Sequence, residues 1–302
     1  MIADVNVAAC DARSFATTLG WLYRALPEPD RAAQVEAMTQ GLAPDDLLFA
    51  TAGGEFQGAI ICEVAAGRVG WVWPPVTRVT DEADPLATLV AERLIDRAVA
   101  RLSRGGVRIA QVLAPLECNW GGAFIKSGFR RLTEMVRMER DVGAAMSVAA
   151  DDRVRFVDSL QFTNAALRQL VLETYRGSCD CPELDGLRPV DEVLEGYRSA
   201  GAFDPALWQV LFVDEAPLGC VLLTHWPDEE RCELQYLGVA PDARGRSLGR
   251  VLCARAICET RRVGASRLTL TVDARNTPAL RHYRDAQFCE LERRIVFLRV
   301  FD

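Results

Sequence analysis

Hydrophobic and polar positions along this chain follow two periods. In the second half, residues 154–158, 208–213, 219–225 and 232–239 are short apolar-rich runs bounded by Gly, Pro and Asp, the pattern of strands. Residues 159–175 and 248–263 carry apolar side chains at helical spacing instead, and 190–199 and 278–284 predict shorter helices. A strand at 267–272 and a final pair of strands within 288–301 complete the order. The predicted unit is α/β, with a mixed, mainly antiparallel sheet flanked by helices.

The same order is written twice. Residues 47–62 read as a hairpin around a Gly53-Gly54 turn, and Gly58 stands against Gly219 of the second half at an offset of 161. Val76 stands against Val239 at an offset of 163, and Phe129 against Phe288 at 159. A near-constant offset over three landmarks predicts a tandem duplication. The first copy then has its long helix at 85–102, a strand at 107–113 and a short helix at 119–125. The periodic pattern lapses around 143–152, which divides the 302 residues into expected domains at 1–145 and 152–302.

Composition narrows the classes. The formal net charge is −7, with 15 basic against 18 acidic residues up to position 150 and 20 against 24 after it. Neither half offers the basic patch that nucleic-acid binding needs, so a nucleic-acid partner is not expected. No apolar run is long enough to span a bilayer, and the first residues carry acids before any base, so no membrane segment and no secretory leader are expected. These features point to the cytoplasm. Ten cysteines are scattered singly apart from Cys179 and Cys181, and only His225 and His282 could join them, so no metal site is expected.

Chemistry concentrates at the end of the strand at 232–239. There Leu237, Gly238 and Val239 lead through a Pro-containing turn into Arg244, Gly245, Arg246, Ser247, Leu248, Gly249 and Arg250, where the long helix begins. A helix N-terminus exposes unpaired N–H groups and the positive end of the dipole, so anions bind there. Small residues let the backbone approach an anion and the arginines add charge-assisted contacts. The alternative reading of the loop alone is a solvated turn with clustered arginines.

This run resembles the pyrophosphate-binding loop of the GNAT superfamily of N-acetyltransferases, with Arg244, Ser247 and Gly249 in its three fixed positions. Ser247 stands where the family has glycine, a departure that limits positive-φ geometry. A second family landmark follows in Asn276, Ala279 and Tyr283, then Phe288. The resemblance covers residues 152–302. It implies acetyl-CoA as acetyl donor, held by the loop, by Asn276 and by backbone groups of Leu237, Gly238 and Val239 where two strands splay apart. It also implies direct attack by a primary amine of a small molecule, with Tyr283 as general acid and a carboxylate on the strand as general base. That carboxylate is Glu233, which strand alternation places on one face with Gln235 and Leu237. The family also borders its acceptor with the loop at 177–188, whose Asp180, Glu183 and Asp185 would favour a cationic amine.

The first copy lacks these parts. Its loop at 77–84 has no glycine and three acids, Phe124 replaces Tyr283, and Gly70 replaces Glu233. It reads as a degenerate, non-catalytic GNAT-like domain. Tandem halves with an active second copy, and the run at 233–239, are also similar to those of mycothiol synthases, which implies an amino-sugar or cysteinyl conjugate as an alternative acceptor. A non-catalytic sensor of acyl-CoA is the competing class.

Overall fold

The computed structural model describes residues 4–81, 83–144, 146 and 151–301. Of the expected joint at 143–152, residues 145 and 147–150 lie outside the described residues, as does Glu82 of the first-copy loop.

In chain order the first half forms β1 (Val5–Ala9), α1 (Phe15–Leu22), α2 (Asp30–Gly41), β2 (Leu47–Ala52), β3 (Glu55–Ala65), β4 (Val69–Val72), β5 (Val76–Thr77), α3 (Pro85–Arg104), β6 (Ile109–Pro115), α4 (Gly121–Lys126) and β7 (Arg130–Asp141). The second half forms β8 (Val154–Asp158), α5 (Asn164–Tyr175), α6 (Val190–Ser199), β9 (Trp208–Val213), β10 (Ala216–Trp226), β11 (Arg231–Val239), α7 (Leu248–Arg262), β12 (Arg267–Asp273), α8 (Thr277–Asp285) and β13 (Cys289–Val300). Both are α/β, and the repeated order is the one the sequence predicts.

The division into compact units differs from two contiguous halves. One unit comprises Met1–Leu132 with Arg294–Asp302, and the other comprises Thr133–Arg293. Each unit takes one strand from the opposite half of the sequence. In the first, β6 pairs antiparallel with Arg294–Val300 of β13; in the second, β12 pairs antiparallel with Met135–Asp141 of β7. The two units thus exchange the final strands of the two halves. The expected pair of strands within 288–301 is also one continuous strand, because no turn interrupts Cys289–Val300.

In the first unit the sheet runs β1, β2, β3, β4, β6 and the end of β13, with β5 also against β3. The buried face of α3 covers it with Val90, Ala91, Leu94, Ile95, Ala98 and Leu102, residues spaced one helical turn apart. In the second unit the order is β8, β9, β10, β11, β12 and the end of β7. There Leu248, Leu252, Cys253, Ala256 and Ile257 of α7 pack on Val221 and Leu223 of β10, Leu234 of β11 and Leu268 and Leu270 of β12. The opposite face is covered by Leu167, Leu170 and Val171 of α5 and by Leu194 of α6.

Helix α5 starts later than the apolar spacing from 159 suggests. Asp158 accepts from the backbone of Leu160 and Gln161, and the Thr163 hydroxyl then caps Ala166 N–H. These local bonds satisfy the backbone in a turn and delay the helix to Asn164.

Candidate active site

A single extra residue shapes the site. In the antiparallel pairing of β10 with β11, Leu223 faces Leu234 and Leu222 faces Tyr236, which leaves Gln235 as a bulge. Side-chain alternation restarts after it. Leu237 and Val239 therefore pack on the same core as Cys232 and Leu234, whereas Tyr236 turns to the face of Trp208 and Leu222. The expectation that Glu233, Gln235 and Leu237 share one face fails for this reason. Glu233 instead accepts from Arg231 Nη1 at 3.1 Å and does not line the cavity described next.

β11 and β12 run parallel only from Arg231↔Arg267 to Leu234↔Leu270. Beyond that point β11 continues to Val239 and β12 to Asp273 without pairing to each other, and a cavity of about 370 Å³ opens there. Its walls are Gln235, Tyr236, Leu237, Gly238 and Val239 on one side and Thr271 and Val272 on the other. Asn276, Pro278, Ala279, His282 and Tyr283 of the α8 segment, Arg244, and Thr174 with Gly177, Ser178, Cys179 and Asp180 complete the lining.

The predicted pyrophosphate loop borders this cavity. Arg244 does not present its guanidinium to a ligand as expected, because three backbone carbonyls engage it. Its Nε donates to Val239 O at 3.2 Å, Nη1 to Gly177 O at 2.9 Å and Nη2 to Thr174 O at 2.9 Å. The side chain staples the end of β11 to the end of α5. Gly245 and Ser247 both take positive φ, +80° and +60°. Ser247 thus adopts the left-handed conformation in which glycine is unstrained. It is the N-cap of α7, and its hydroxyl makes no capping bond, so no side chain of the cap occupies the first-turn N–H groups. A Cβ built on Gly249 would meet nothing within 4 Å, which leaves the helix end open to a ligand. Arg246 and Arg250 are exposed beside it. The arrangement fits a diphosphate.

Gly238 has a steric reason. The Thr174 hydroxyl and the Tyr236 phenol lie 2.6 Å apart, and a Cβ at Gly238 would come within 2.6 Å of both oxygens. Burial pushes the Tyr236 phenol far up, so it stays protonated.

On α8, Asn276 is the N-cap: its Oδ1 accepts from Ala279 N at 3.3 Å and its Nδ2 donates to Asp180 at 3.5 Å. Tyr283 is buried at 8% exposure, packs edge-on to Phe288 and lines the cavity. Burial, with Cys253 and Asp180 nearby, pushes its phenol well above the ordinary range and keeps the proton on. His282 also lines the cavity, although the 100° step along a helix suggests otherwise. Residues 278, 279, 282 and 283 form one face of α8, a spacing already present in the sequence. Burial and then Arg250 lower the His282 pKa, and its buried Nε2 has no hydrogen-bond partner among the described residues. Asp180 is an exposed residue that lines the cavity, where the sequence showed only an acidic rim. Glu183 instead pairs with Arg275.

The corresponding positions of the first unit are closed. The Asp84 carboxylate accepts from Ala87 N at 2.8 Å, so the chain's own anion caps α3. Phe124 is fully buried between Phe129 and Phe297, and a Cβ at Gly70 would strike Leu102 at 2.8 Å.

Residues 166–288 match the model of the acetyltransferase (GNAT) family. The chain is similar to the mycothiol acetyltransferase of Beutenbergia cavernae, 37% identical over 89 residues, covering 28% of this chain and 29% of that protein. It is similar to the mycothiol acetyltransferase of Gordonia bronchialis, 29% identical over 182 residues, about half of each chain. Among solved structures, a GCN5-related N-acetyltransferase from Sphaerobacter thermophilus superposes with TM-score 0.65 at 16% identity, covering 98% of this chain and 95% of that one. A tandem GNAT protein from the clavulanic acid biosynthesis pathway superposes with TM-score 0.56 at 11% identity, covering 98% of both chains. Both structures share the fold of this chain over nearly its whole length. Every residue that lines the cavity lies within the segment that is similar to the GNAT acetyltransferase family.

Proposed function

We propose that the second unit is an acetyl-CoA-dependent N-acetyltransferase that acts directly on a primary amine of a small molecule. The parting of β11 from β12 beyond Leu234↔Leu270 carries this reading, because it joins a slot with unpaired strand backbone to an uncapped helix end. When bound, acetyl-CoA supplies the thioester-activated acetyl group. The start of α7, with Ser247, Leu248, Gly249, Arg246 and Arg250, would hold its diphosphate. Leu237, Gly238 and Val239 offer backbone groups to the arm and to the carbonyl, where a fixed N–H stabilises developing negative charge. Arg244 positions the loop, and Tyr283 keeps the proton that a departing thiolate needs.

The first unit is non-catalytic in this reading, since Asp84 fills its helix end and Phe124 replaces the acid. None of the ten cysteines is joined in a disulfide among the described residues, and their scattered single placement supports a reducing compartment, the cytoplasm. Similarity to two mycothiol acetyltransferases supports a second choice of acceptor, an amino-sugar or cysteinyl conjugate. Thiol release from acetyl-CoA, measured with a panel of primary amines that includes such conjugates, tests the reading. Acetylated product from at least one amine is expected. Donor binding with no turnover for any amine would favour an acyl-CoA sensor.

A further inference from the structure

We propose that Asp180 receives the acceptor's ammonium group and takes its proton, the part the sequence suggests for Glu233. The proposal rests on the acetyltransferase reading and names the base and the acceptor chemistry of the same site. Three observations support it.

Asp180 lines the cavity together with Tyr283, the residue that holds the proton for the leaving group, and Glu233 does not. The Asp180 carboxylate is held in place: Oδ1 accepts from Asp273 N at 2.9 Å and from Asn276 Nδ2 at 3.5 Å. Both bonds end on Oδ1, so Oδ2 has no hydrogen-bond partner among the described residues. Glu233, in contrast, is engaged by Arg231 on the far side of the bulge at Gln235.

The surroundings suit a base. Asp180 is exposed, but partial desolvation of its carboxylate at the cavity, then the neighbouring Asp273 charge, raises its pKa against the opposing pull of its hydrogen bonds and of Arg275. The other titratable groups near it are Cys179, Cys181 and Glu183 on its own loop, Tyr197 on α6, and Tyr283 and His282 on α8. Arg275, the cation among them, is divided between Glu183 and Asp273. The remaining negative charge favours a cationic acceptor, a small molecule with an amine protonated near neutral pH.

The proton balance is complete. Asp180 accepts one proton from the ammonium, and the neutral nitrogen forms the C–N bond to the acetyl carbon as the C–S bond breaks. Tyr283 gives its proton to the sulfur, and the second proton leaving the nitrogen restores the Tyr283 phenol. Asp180 returns its proton to water.

The test compares D180N, D180E and E233Q with the wild type in thiol release as a function of pH, with donor affinity measured by calorimetry. D180N keeps the Oδ1 acceptor and is expected to bind acetyl-CoA like the wild type. Its kcat/KM for the amine should fall about 100-fold, the loss typical of a missing general base, and the acidic limb of the pH profile should disappear. D180E should recover that limb and part of the rate, and E233Q should stay within about threefold of the wild type on the same scale. Wild-type turnover that D180N leaves intact, limb included, overturns the Asp180 proposal alone. Absence of turnover in the wild type with every amine overturns the acetyltransferase reading as well.

Discussion

Arg244 Nη2 donates to the main-chain carbonyl of Thr174 across 70 residues of sequence, at 2.9 Å. That bond, with the others to Gly177 and Val239, makes the first residue of the proposed phosphate loop a clamp on α5. Arg244→Ala should therefore loosen both walls of the cavity. Hydrogen bonds to a charged group contribute about 1.5–3 kcal/mol each, less where exposed, so donor affinity should fall at least about tenfold with a lower Tm. Titration calorimetry and thermal melts check this, and an affinity change limited to high-salt sensitivity would mean that Arg244 acts as a phosphate contact after all.

Gly238→Ala should be disruptive for a residue so small. Its Cβ would sit 2.6 Å from the Thr174 and Tyr236 oxygens, and such overpacking typically costs about 1–3 kcal/mol. Urea unfolding measures the loss. The double variant Gly238→Ala/Thr174→Ala should regain part of it by removing one of the two clashing oxygens.

Ser247→Gly should stabilise the chain or tighten donor binding. Ser247 holds φ +60° without a capping bond from its hydroxyl, so the substitution removes strain and no contact. Left-handed geometry costs a non-glycine residue about 1–2 kcal/mol, partly offset by the greater freedom of glycine when unfolded, so a net gain of up to about 1 kcal/mol is expected. Denaturant midpoints and donor calorimetry read it directly.

Asp273 makes part of the stability acid-sensitive. Burial works against its charge, but hydrogen bonds from Arg275, Thr133 and Cys181 N outweigh it and hold the carboxyl at about 2. A carboxyl depressed below its unfolded value of about 3.9 stabilises fully above that value, and the contribution is lost as pH falls from about 4 to about 2. Asp273→Asn should lower Tm at pH 7, and the gap to the wild type should narrow across that window. A gap that stays constant from pH 7 to pH 2 would contradict this origin.

Much of this site could be read from residue order. Arg244, Ser247, Gly249, Asn276 and Tyr283 all fall around one helix start or one cavity, since their spacing is local and each motif lies within a single strand-turn-helix step. The misplaced residue, Glu233, was lost to the bulge at Gln235. Nothing in the apolar pattern marks that extra residue, because Tyr236 is amphipathic and Gly238 has no side chain to betray its face. Asp180 was visible only as one of several loop acids, since the bonds from Asp273 N and Asn276 that fix it beside the cavity come from residues more than 90 positions away. The exchange of β7 and β13 is equally silent in sequence. An amphipathic strand reads the same beside either partner, and only the registers of Met135–Asp141 and Arg294–Val300 reveal the choice.

A crystal structure with acetyl-CoA bound tests the central claim most directly. The account predicts one donor per chain, its arm between β11 and β12 and its diphosphate at the start of α7, with the thioester facing Tyr283 and Asp180. Donor density at the Asp84-capped end of α3, or none in the second unit at millimolar donor, would contradict it.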